Sequence, residues 1–231
     1  MAESTVQHWD ALWEQHKNEP VHDRQLLRII ELYRSMRGSL KGKRVLETGA
    51  GSGVDSITLA KMTGCKPHCV DYSKRSIAFL RKNFKAAKVT GHFIHADMRK
   101  MPIKDRTFDV VFSNGVLEHF KTENERIAIV KEQSRVLRPG GLLVIGVPET
   151  YSLYTIKKQI AIRRGTWFAG WETQFSKREL RALATKAKLK VVECRVYGNA
   201  PLSFPPLLQR ITTMLHINRW LASDVVVYCT K

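Results

Sequence analysis

The sequence predicts a doubly wound α/β fold, in which a seven-stranded, mostly parallel sheet is covered by helices on both faces. From residue 43 onward, short apolar segments alternate with amphipathic helical segments, which is typical of such sheets. With 231 residues, the chain has the length of one domain. Its composition, 43% hydrophobic and 26% charged, is that of a globular protein with enough apolar residues for a core.

Apolar segments bounded by turn residues predict strands over residues 43–48, 67–71, 92–96, 108–113, 141–147, 190–197 and 225–230. Helical periodicity predicts helices over about 53–63, 73–87, 123–137 and 176–188. In the second helix, Ile77, Leu80 and Phe84 recur at helical spacing and should face the sheet. The segment Arg138-Pro139-Gly140-Gly141 should end the third helix and turn the chain into the fifth strand.

Three regions lie outside this alternation. Residues 1–40 predict a helical cap, with helices around 4–18 and 21–38, before a main domain over 41–231. The second cap helix should place Leu26, Leu27, Ile30 and Tyr33 on one face. Insertions follow at about 150–175 and 199–222. The first leaves the carboxyl end of a strand, where α/β proteins bind ligands, and is a candidate substrate lid.

The chain is strongly basic. It has 39 Lys and Arg against 21 Asp and Glu, a net charge of +18, and residues 151–231 hold 14 basic and 4 acidic residues. This excess favours an anionic partner, whether nucleic acid, an acidic small molecule or an anionic membrane surface, but it is equally compatible with a basic soluble surface.

Localisation and metal content can also be anticipated from the sequence. It shows neither a signal peptide nor an apolar stretch of about 18 residues, so we expect a cytoplasmic protein, with peripheral membrane association as an alternative. The four scattered cysteines indicate reduced thiols and no metal site.

A glycine-rich segment carries the most specific signal. Glu47-Thr48-Gly49-Ala50-Gly51-Ser52-Gly53 follows the first strand and opens a helix. Glycines at such a turn let backbone N–H groups approach a ligand that a Cβ would hold away. The spacing is G-x-G-x-G, whereas the dinucleotide fingerprint G-x-G-x-x-G would need glycine or alanine at Val54, so a dehydrogenase is disfavoured.

Acidic residues follow the next two strands. Asp71 comes eighteen residues after Gly53 and is placed to accept hydrogen bonds from ribose hydroxyls. Capping of the next helix is the alternative role for Asp71, but Ser73 is better placed as the N-cap. Asp97 follows the third strand, where an isolated aspartate is usually a turn residue.

Together these motifs resemble class I S-adenosylmethionine-dependent methyltransferases, whose first motif reads acidic-x-G-x-G-x-G. The segment 108–120, with Leu117-Glu118-His119, resembles the fourth strand and LEH continuation of that family's small-molecule enzymes. The resemblance covers about 43–148, with a weaker echo in 175–198. It implies a Rossmann-like sheet with an antiparallel last strand, S-adenosylmethionine as cofactor and S-adenosylhomocysteine as product.

The resemblance also implies roles for individual residues. Around the methionine and ribose of the cofactor it implies an acidic residue, the glycine loop and backbone groups after the fourth strand: Glu47, Gly49, Ala50, Gly51, Gly53, Ser113, Asn114 and Gly115. At the adenosyl end, Asp71 would bind the ribose and Tyr72 would lie against adenine. Asp97 would bind the adenine amino group, and the backbone N–H of Met98 would meet a ring nitrogen.

The sulfonium methyl is already activated, so the protein mainly has to align the acceptor and exclude water. If the acceptor is a hydroxyl or an ammonium, a base must take its proton. His119 is the best candidate because histidine ordinarily titrates near neutrality, and Glu118, His8 and Glu149 are weaker ones. A packing or cofactor-shaping role for His119 remains an equal alternative.

Two acceptor classes remain open, together with a cofactor-binding protein without catalysis. A small-molecule or lipid-like acceptor could be lined by aromatic residues of the first insertion, namely Tyr151, Tyr154, Trp167, Phe168 and Trp171. In a variant of this hypothesis, basic amphipathic segments at 151–164 and 206–220 lie on an anionic membrane. The alternative acceptor is an RNA, either tRNA or rRNA, that is held by the basic surface. The sequence leaves the oligomeric state open.

Two nucleic-acid chemistries are disfavoured. The fourth strand continues as Ser-Asn-Gly-Val, whereas enzymes of similar fold that methylate exocyclic amines of bases have an Asn-Pro-Pro-Tyr type motif there. No cysteine lies at that position to attack a pyrimidine ring.

Overall fold

A computed structural model describes residues 5, 7, 9–11, 22–167, 170–198 and 222–231. Within these residues the chain forms one seven-stranded sheet of order β3-β2-β1-β4-β5-β7-β6. The first five strands pair in parallel, and β7 runs antiparallel to both β5 and β6. The predicted doubly wound α/β class and its antiparallel last strand are confirmed.

The strands are β1 (Arg44–Thr48), β2 (Lys66–Asp71), β3 (His92–His95), β4 (Phe108–Asn114), β5 (Leu137–Pro148), β6 (Lys190–Gly198) and β7 (Ala222–Thr230). Within residues 22–198, the described part of the chain forms the α-helices α1 (Asp23–Arg37), α2 (Val54–Thr63), α3 (Lys74–Ala87), α4 (Glu123–Val136), α5 (Leu153–Arg163) and α6 (Lys177–Lys186). A short 3-10 helix spans Leu117–His119.

Apolar side chains cover both faces of the sheet. On one face, α4 and α6 pack through residues such as Ile129 and Leu180 against Leu46 and Val111 of the central strands. On the other face, α1 and α2 pack against the opposite side chains of the same strands, including Val45. This alternation follows from the two-residue period of a strand. Because β1, β2 and β4 run in parallel, their carboxyl ends lie at the same edge of the sheet. The polar residues of the candidate site lie at this edge.

Helix α1 forms most of the described part of the predicted cap, and it packs directly on the sheet. Leu26, Ile29 and Tyr33 are buried, as helical spacing requires. Leu27 was expected on the same face, but its side chain is 47% exposed. That prediction was wrong because each helical residue advances by about 100°, which turns Leu27 away from Leu26. The helix predicted around 4–18 lies mostly outside the described residues.

The start of one strand also differs from the prediction. Strand β5 begins at Leu137, four residues before the expected start, because Leu137 pairs with Phe108 and the Pro-Gly-Gly segment is taken up as an irregularity of the ladder. The first insertion contains α5, capped by Ser152, whose side chain accepts a hydrogen bond from the Thr155 N–H. Of the second insertion, residues 199–221 lie outside the described part of the chain.

Among the residues that the structure describes, no helix has the length and apolar character needed to cross a bilayer.

Candidate active site

The glycine-rich segment forms a tight turn between β1 and α2. Gly49 has φ +68° and Gly51 has φ +51°, a region that favours glycine. A Cβ on Gly49 would come within 2.5 Å of the Val116 side chain. Only glycine therefore allows the backbone to lie this close to Val116. The turn therefore presents bare backbone toward the space beyond the carboxyl end of β1.

A cavity of about 510 Å³ opens in front of this turn. It lies where the strand order reverses between β1 and β4, the position at which open α/β sheets bind ligands. Its walls come from the loops after β1, β2, β3 and β4 and from the N-terminal segment: Trp9, Gly49, Gly51, Val70, Asp71, Tyr72, Ala96, Asp97, Met98, Arg99, Asn114, Gly115, Val116, His119, Phe120, Lys121, Thr122 and Glu125.

Asp71 fixes the glycine turn from the end of β2. Its Oδ2 accepts a hydrogen bond from the Gly51 N–H at 3.0 Å, and its Oδ1 accepts one from the Ser73 N–H at 2.9 Å. Burial raises the pKa of Asp71, and these hydrogen bonds act in the opposite direction. The carboxylate is thus buried, oriented and part of the cavity wall. Ser73 caps α3, as the sequence predicted.

Asp97 lies on the same wall but is engaged with a neighbour. The Arg99 guanidinium donates to both of its oxygens, the closest contact being 2.6 Å from Nη2 to Oδ2. Burial favours a higher pKa for Asp97, but the hydrogen bonds from Arg99 outweigh it and the pKa lies below its ordinary value. The sequence did not predict this contact, because the position of Arg99 two residues after Asp97 does not show that its guanidinium binds the Asp97 carboxylate.

A polar cluster behind the cavity holds Asn114 in place. The Asn114 Nδ2 donates to Asp55 Oδ2 at 2.8 Å, and the His22 backbone N–H donates to Asp55 Oδ1 at 2.9 Å. The His22 ring forms a 2.7 Å contact with the same carboxylate. Sequence reasoning missed Asp55, which resembles any acidic residue in the first turn of a helix.

His119 stands on the cavity wall with a defined ring orientation. Its Nδ1 lies 3.0 Å from the Trp171 carbonyl oxygen, which can only accept, so Nδ1 carries the proton and Nε2 is the nitrogen that can take one up. Trp9 packs edge-on against the ring, with centroids 4.8 Å apart. Trp9 was also missed, because nothing in the sequence shows which aromatic residue reaches the cavity.

The three weaker candidate bases differ in position. Glu118 is 2% exposed and does not line the cavity. Burial raises its pKa well above the ordinary value, and Glu172 and Asp224 add to the effect. Glu149 is buried at the end of β5. His8 lies outside the described residues.

Nine of the thirteen expected site residues line one cavity, and four lie behind its wall. Glu47 is buried, and its Oε2 accepts a hydrogen bond from the Ser56 N–H at 3.2 Å. Ala50 is buried, Gly53 is the N-cap of α2, and the Ser113 hydroxyl accepts a hydrogen bond from Gln133. The carboxylates of Asp71 and Asp97 therefore share a cavity wall, whereas Glu47 supports the loop from inside.

The four aromatic residues of the first insertion that the structure describes do not line this cavity, contrary to expectation. Tyr151 is 59% exposed, and the Tyr154 hydroxyl donates to Glu172. The Trp167 indole N–H donates to the Gly170 carbonyl, and Trp171 contributes its backbone carbonyl to His119. Phe168 lies outside the described residues. The described part of the insertion contacts His119 of the cavity wall through the Trp171 backbone carbonyl.

A glycine turn after β1, a buried aspartate ending β2 and a cavity at the reversal of strand order define the class I S-adenosylmethionine-dependent methyltransferase fold. A family model described as "Methyltransferase domain" matches residues 45–141. Residues 45–141 therefore resemble a methyltransferase domain, and S-adenosylmethionine is the cofactor of that class.

Similarity to individual proteins agrees with this class. The chain is 31% identical over 109 residues to 27-O-demethylrifamycin SV methyltransferase from Amycolatopsis mediterranei, covering 46% of this chain and 38% of that enzyme. It is 47% identical over 51 residues to probable tRNA methyltransferase 9B from Mus musculus, covering 22% of this chain and 11% of that protein.

Among solved structures, the N-methyltransferase NodS from Bradyrhizobium japonicum WM9, in complex with S-adenosyl-L-homocysteine, has the same fold. It superposes with a TM-score of 0.64 at 14% identity, over 99% of each chain. The matches to the curated relatives above span less than half of the length of each relative.

Proposed function

We propose that this chain transfers the methyl group of S-adenosylmethionine to a small-molecule or lipid-like acceptor by in-line displacement. The observation that carries the proposal is the cavity in which the bare glycine turn and the buried Asp71 carboxylate face one space. Both features fit an adenosyl cofactor, since Gly49 and Gly51 line the cavity without side chains and an oriented carboxylate suits ribose hydroxyls.

Nine residues of the cavity wall would contact the cofactor and its reacting methyl, and the other four expected residues would support them. Gly49, Gly51, Asn114 and Gly115 would lie along the methionine and ribose. Asp71 would hold the ribose. Tyr72, Asp97 and Met98 would surround the adenine, which requires Asp97 to share its carboxylate with Arg99. When bound, the cofactor supplies an activated methyl group; the protein supplies alignment and a site shielded from water.

His119 is the proposed proton acceptor for a hydroxyl or ammonium substrate. Its Nδ1 hydrogen bond to the Trp171 carbonyl leaves Nε2 as the basic nitrogen. We expect His119→Asn to keep a donor near that carbonyl but to lower kcat by about a hundredfold to ten-thousandfold, the usual contribution of a general base. The Kd for S-adenosylhomocysteine should change little.

A matched variant separates the chemical role from a general effect of losing a histidine. His92→Asn changes a histidine on β3 that is outside the cavity wall, and it should keep wild-type kcat. Equal kcat values for His119→Asn and the wild type would assign His119 to packing or to shaping the cofactor site.

RNA is the alternative acceptor, favoured by the net charge of +18 and by the 51-residue similarity to the probable tRNA methyltransferase. The two acceptor classes are distinguished by the release of S-adenosylhomocysteine in the presence of small-molecule extracts, lipid extracts or total RNA. Turnover with a small-molecule or lipid extract that persists after nuclease treatment supports the proposal. Turnover restricted to RNA would replace it with the alternative.

A further inference from the structure

Helix α5 exposes three of its aliphatic side chains and buries a lysine, which is unusual for a surface helix. In this helix, whose residues are all described, the buried side chain is that of Lys158, which is 1% exposed. Leu153, Ile156 and Ile160 face outward, with 38%, 49% and 43% of their surface exposed. A helix on a globular protein normally buries its aliphatic residues and exposes its lysines.

The inward lysine is held by specific partners. The Lys158 ammonium donates to the Glu172 carbonyl oxygen at 2.7 Å and to Glu172 Oε1 at 3.1 Å. The Tyr154 hydroxyl donates to the same carboxylate at 3.2 Å. Burying a charge is costly unless it is paired and hydrogen-bonded, as it is here. These contacts fix the rotation of α5 about its axis, and so they fix the aliphatic residues on the outside.

The outward face combines aliphatic and basic side chains. Leu153, Ile156 and Ile160 are spaced by three and four residues and therefore form one stripe. At about 100° per residue, Lys157 and Arg164 lie along one side of the stripe and Arg163 lies along the other. All three basic residues are exposed. Residues 150–171 contain four basic residues and no acidic one.

We propose that this outward face of α5 docks on an anionic phospholipid bilayer. An aliphatic stripe with basic flanks is the arrangement that buries in the headgroup region while its cations meet anionic lipids. An RNA partner would use the basic flanks but would leave the aliphatic stripe unexplained, because single-stranded nucleic acids stack on aromatic side chains. In a symmetric pairing with a second copy, the basic flanks of the two helices would repel each other.

Docking would bring the bilayer to the edge of the sheet where the cavity lies. Helix α5 follows β5, and the loop after α5 contacts His119 through the Trp171 carbonyl. A lipid-like acceptor would then reach the cavity from the membrane surface. The docking itself does not depend on the proposed methyl transfer, since vesicle binding is measured without cofactor or acceptor.

The test is flotation of the full chain with phosphatidylcholine vesicles that contain or lack phosphatidylglycerol. We expect stronger binding to the anionic vesicles. Ile156→Glu combined with Ile160→Glu should weaken binding by at least about tenfold, because two buried aliphatic side chains are lost. Arg163→Gln combined with Arg164→Gln should weaken it by about fivefold for each cation removed.

The matched control is Leu27→Glu combined with Met62→Glu, which makes the same charge change at two side chains that are each 47% exposed, on α1 and α2. Because the whole chain is basic, only a difference between the two double variants supports the proposal. Equal binding by both overturns it, as does absence of binding to anionic vesicles. Loss of RNA binding or of a dimer in the Ile156→Glu, Ile160→Glu variant, with vesicle binding unchanged, also overturns it.

Discussion

Replacement of Lys158 by methionine is expected to lower the free energy of unfolding by about 3–5 kcal/mol, the usual cost of removing one partner from a buried ion pair. Lys158 and Glu172 have side chains that are 1% and 3% exposed, so the remaining carboxylate would be left in a site that water does not reach. The same carboxylate also accepts from Tyr154, and the loss should therefore spread to the packing of α5. Urea denaturation followed by circular dichroism measures the change.

Two further variants separate the buried charge from other effects of the substitution. Lys157→Met makes the same change at the exposed neighbouring position and should alter the free energy of unfolding by no more than about 0.5 kcal/mol. Lys158→Met combined with Glu172→Leu removes both charges and should recover much of the lost stability. If Lys158→Met were as stable as Lys157→Met, the anchoring of α5 by this ion pair would be contradicted.

Asp71→Asn is expected to weaken the binding of S-adenosylhomocysteine by about tenfold to a hundredfold, because hydrogen bonds to a charged group contribute roughly 1.5–3 kcal/mol. In the wild type, the N–H groups of Gly51 and Ser73 each donate to a carboxylate oxygen of Asp71. The substitution removes the charge and places an amide NH₂ group, which cannot accept, against one of these two N–H groups. The glycine turn should shift as a result. Isothermal titration calorimetry measures the change in Kd.

Asp109→Asn is the matched control for this effect. Asp109 is 8% exposed and accepts hydrogen bonds from the Arg44 N–H and the Arg138 guanidinium, but it lies at the opposite end of the sheet from the cavity. It should lower stability without changing the Kd. Equal Kd values for Asp71→Asn and the wild type would remove Asp71 from the cofactor site.

The sequence predicted the sheet and the cavity edge because both depend on local signals. Alternating apolar segments identify parallel strands, and Gly49 and Gly51 identify a turn that backbone geometry restricts to glycine. Asp71 and Asp97 were predictable because the carboxyl ends of parallel strands meet at one edge. These features need no knowledge of distant contacts.

The features that escaped prediction depend on which side chains the folded chain brings together. Trp9 packs against His119, which lies 110 residues further along the chain, and Arg99 turns back onto Asp97 only in the folded loop. The inward direction of Lys158 depends on Glu172, fourteen residues further on. Helical periodicity around 153–163 gives the spacing of Leu153 and Ile160 but not which side meets the protein.

The most direct test of the account is a crystal structure of the chain with S-adenosylhomocysteine, supported by calorimetric stoichiometry. The account predicts one molecule per chain, with its ribose on the Asp71 carboxylate, its adenine beside Tyr72 and its methionine end along Gly49 and Gly51. A molecule bound elsewhere on the chain, or no heat of binding at all, would contradict it.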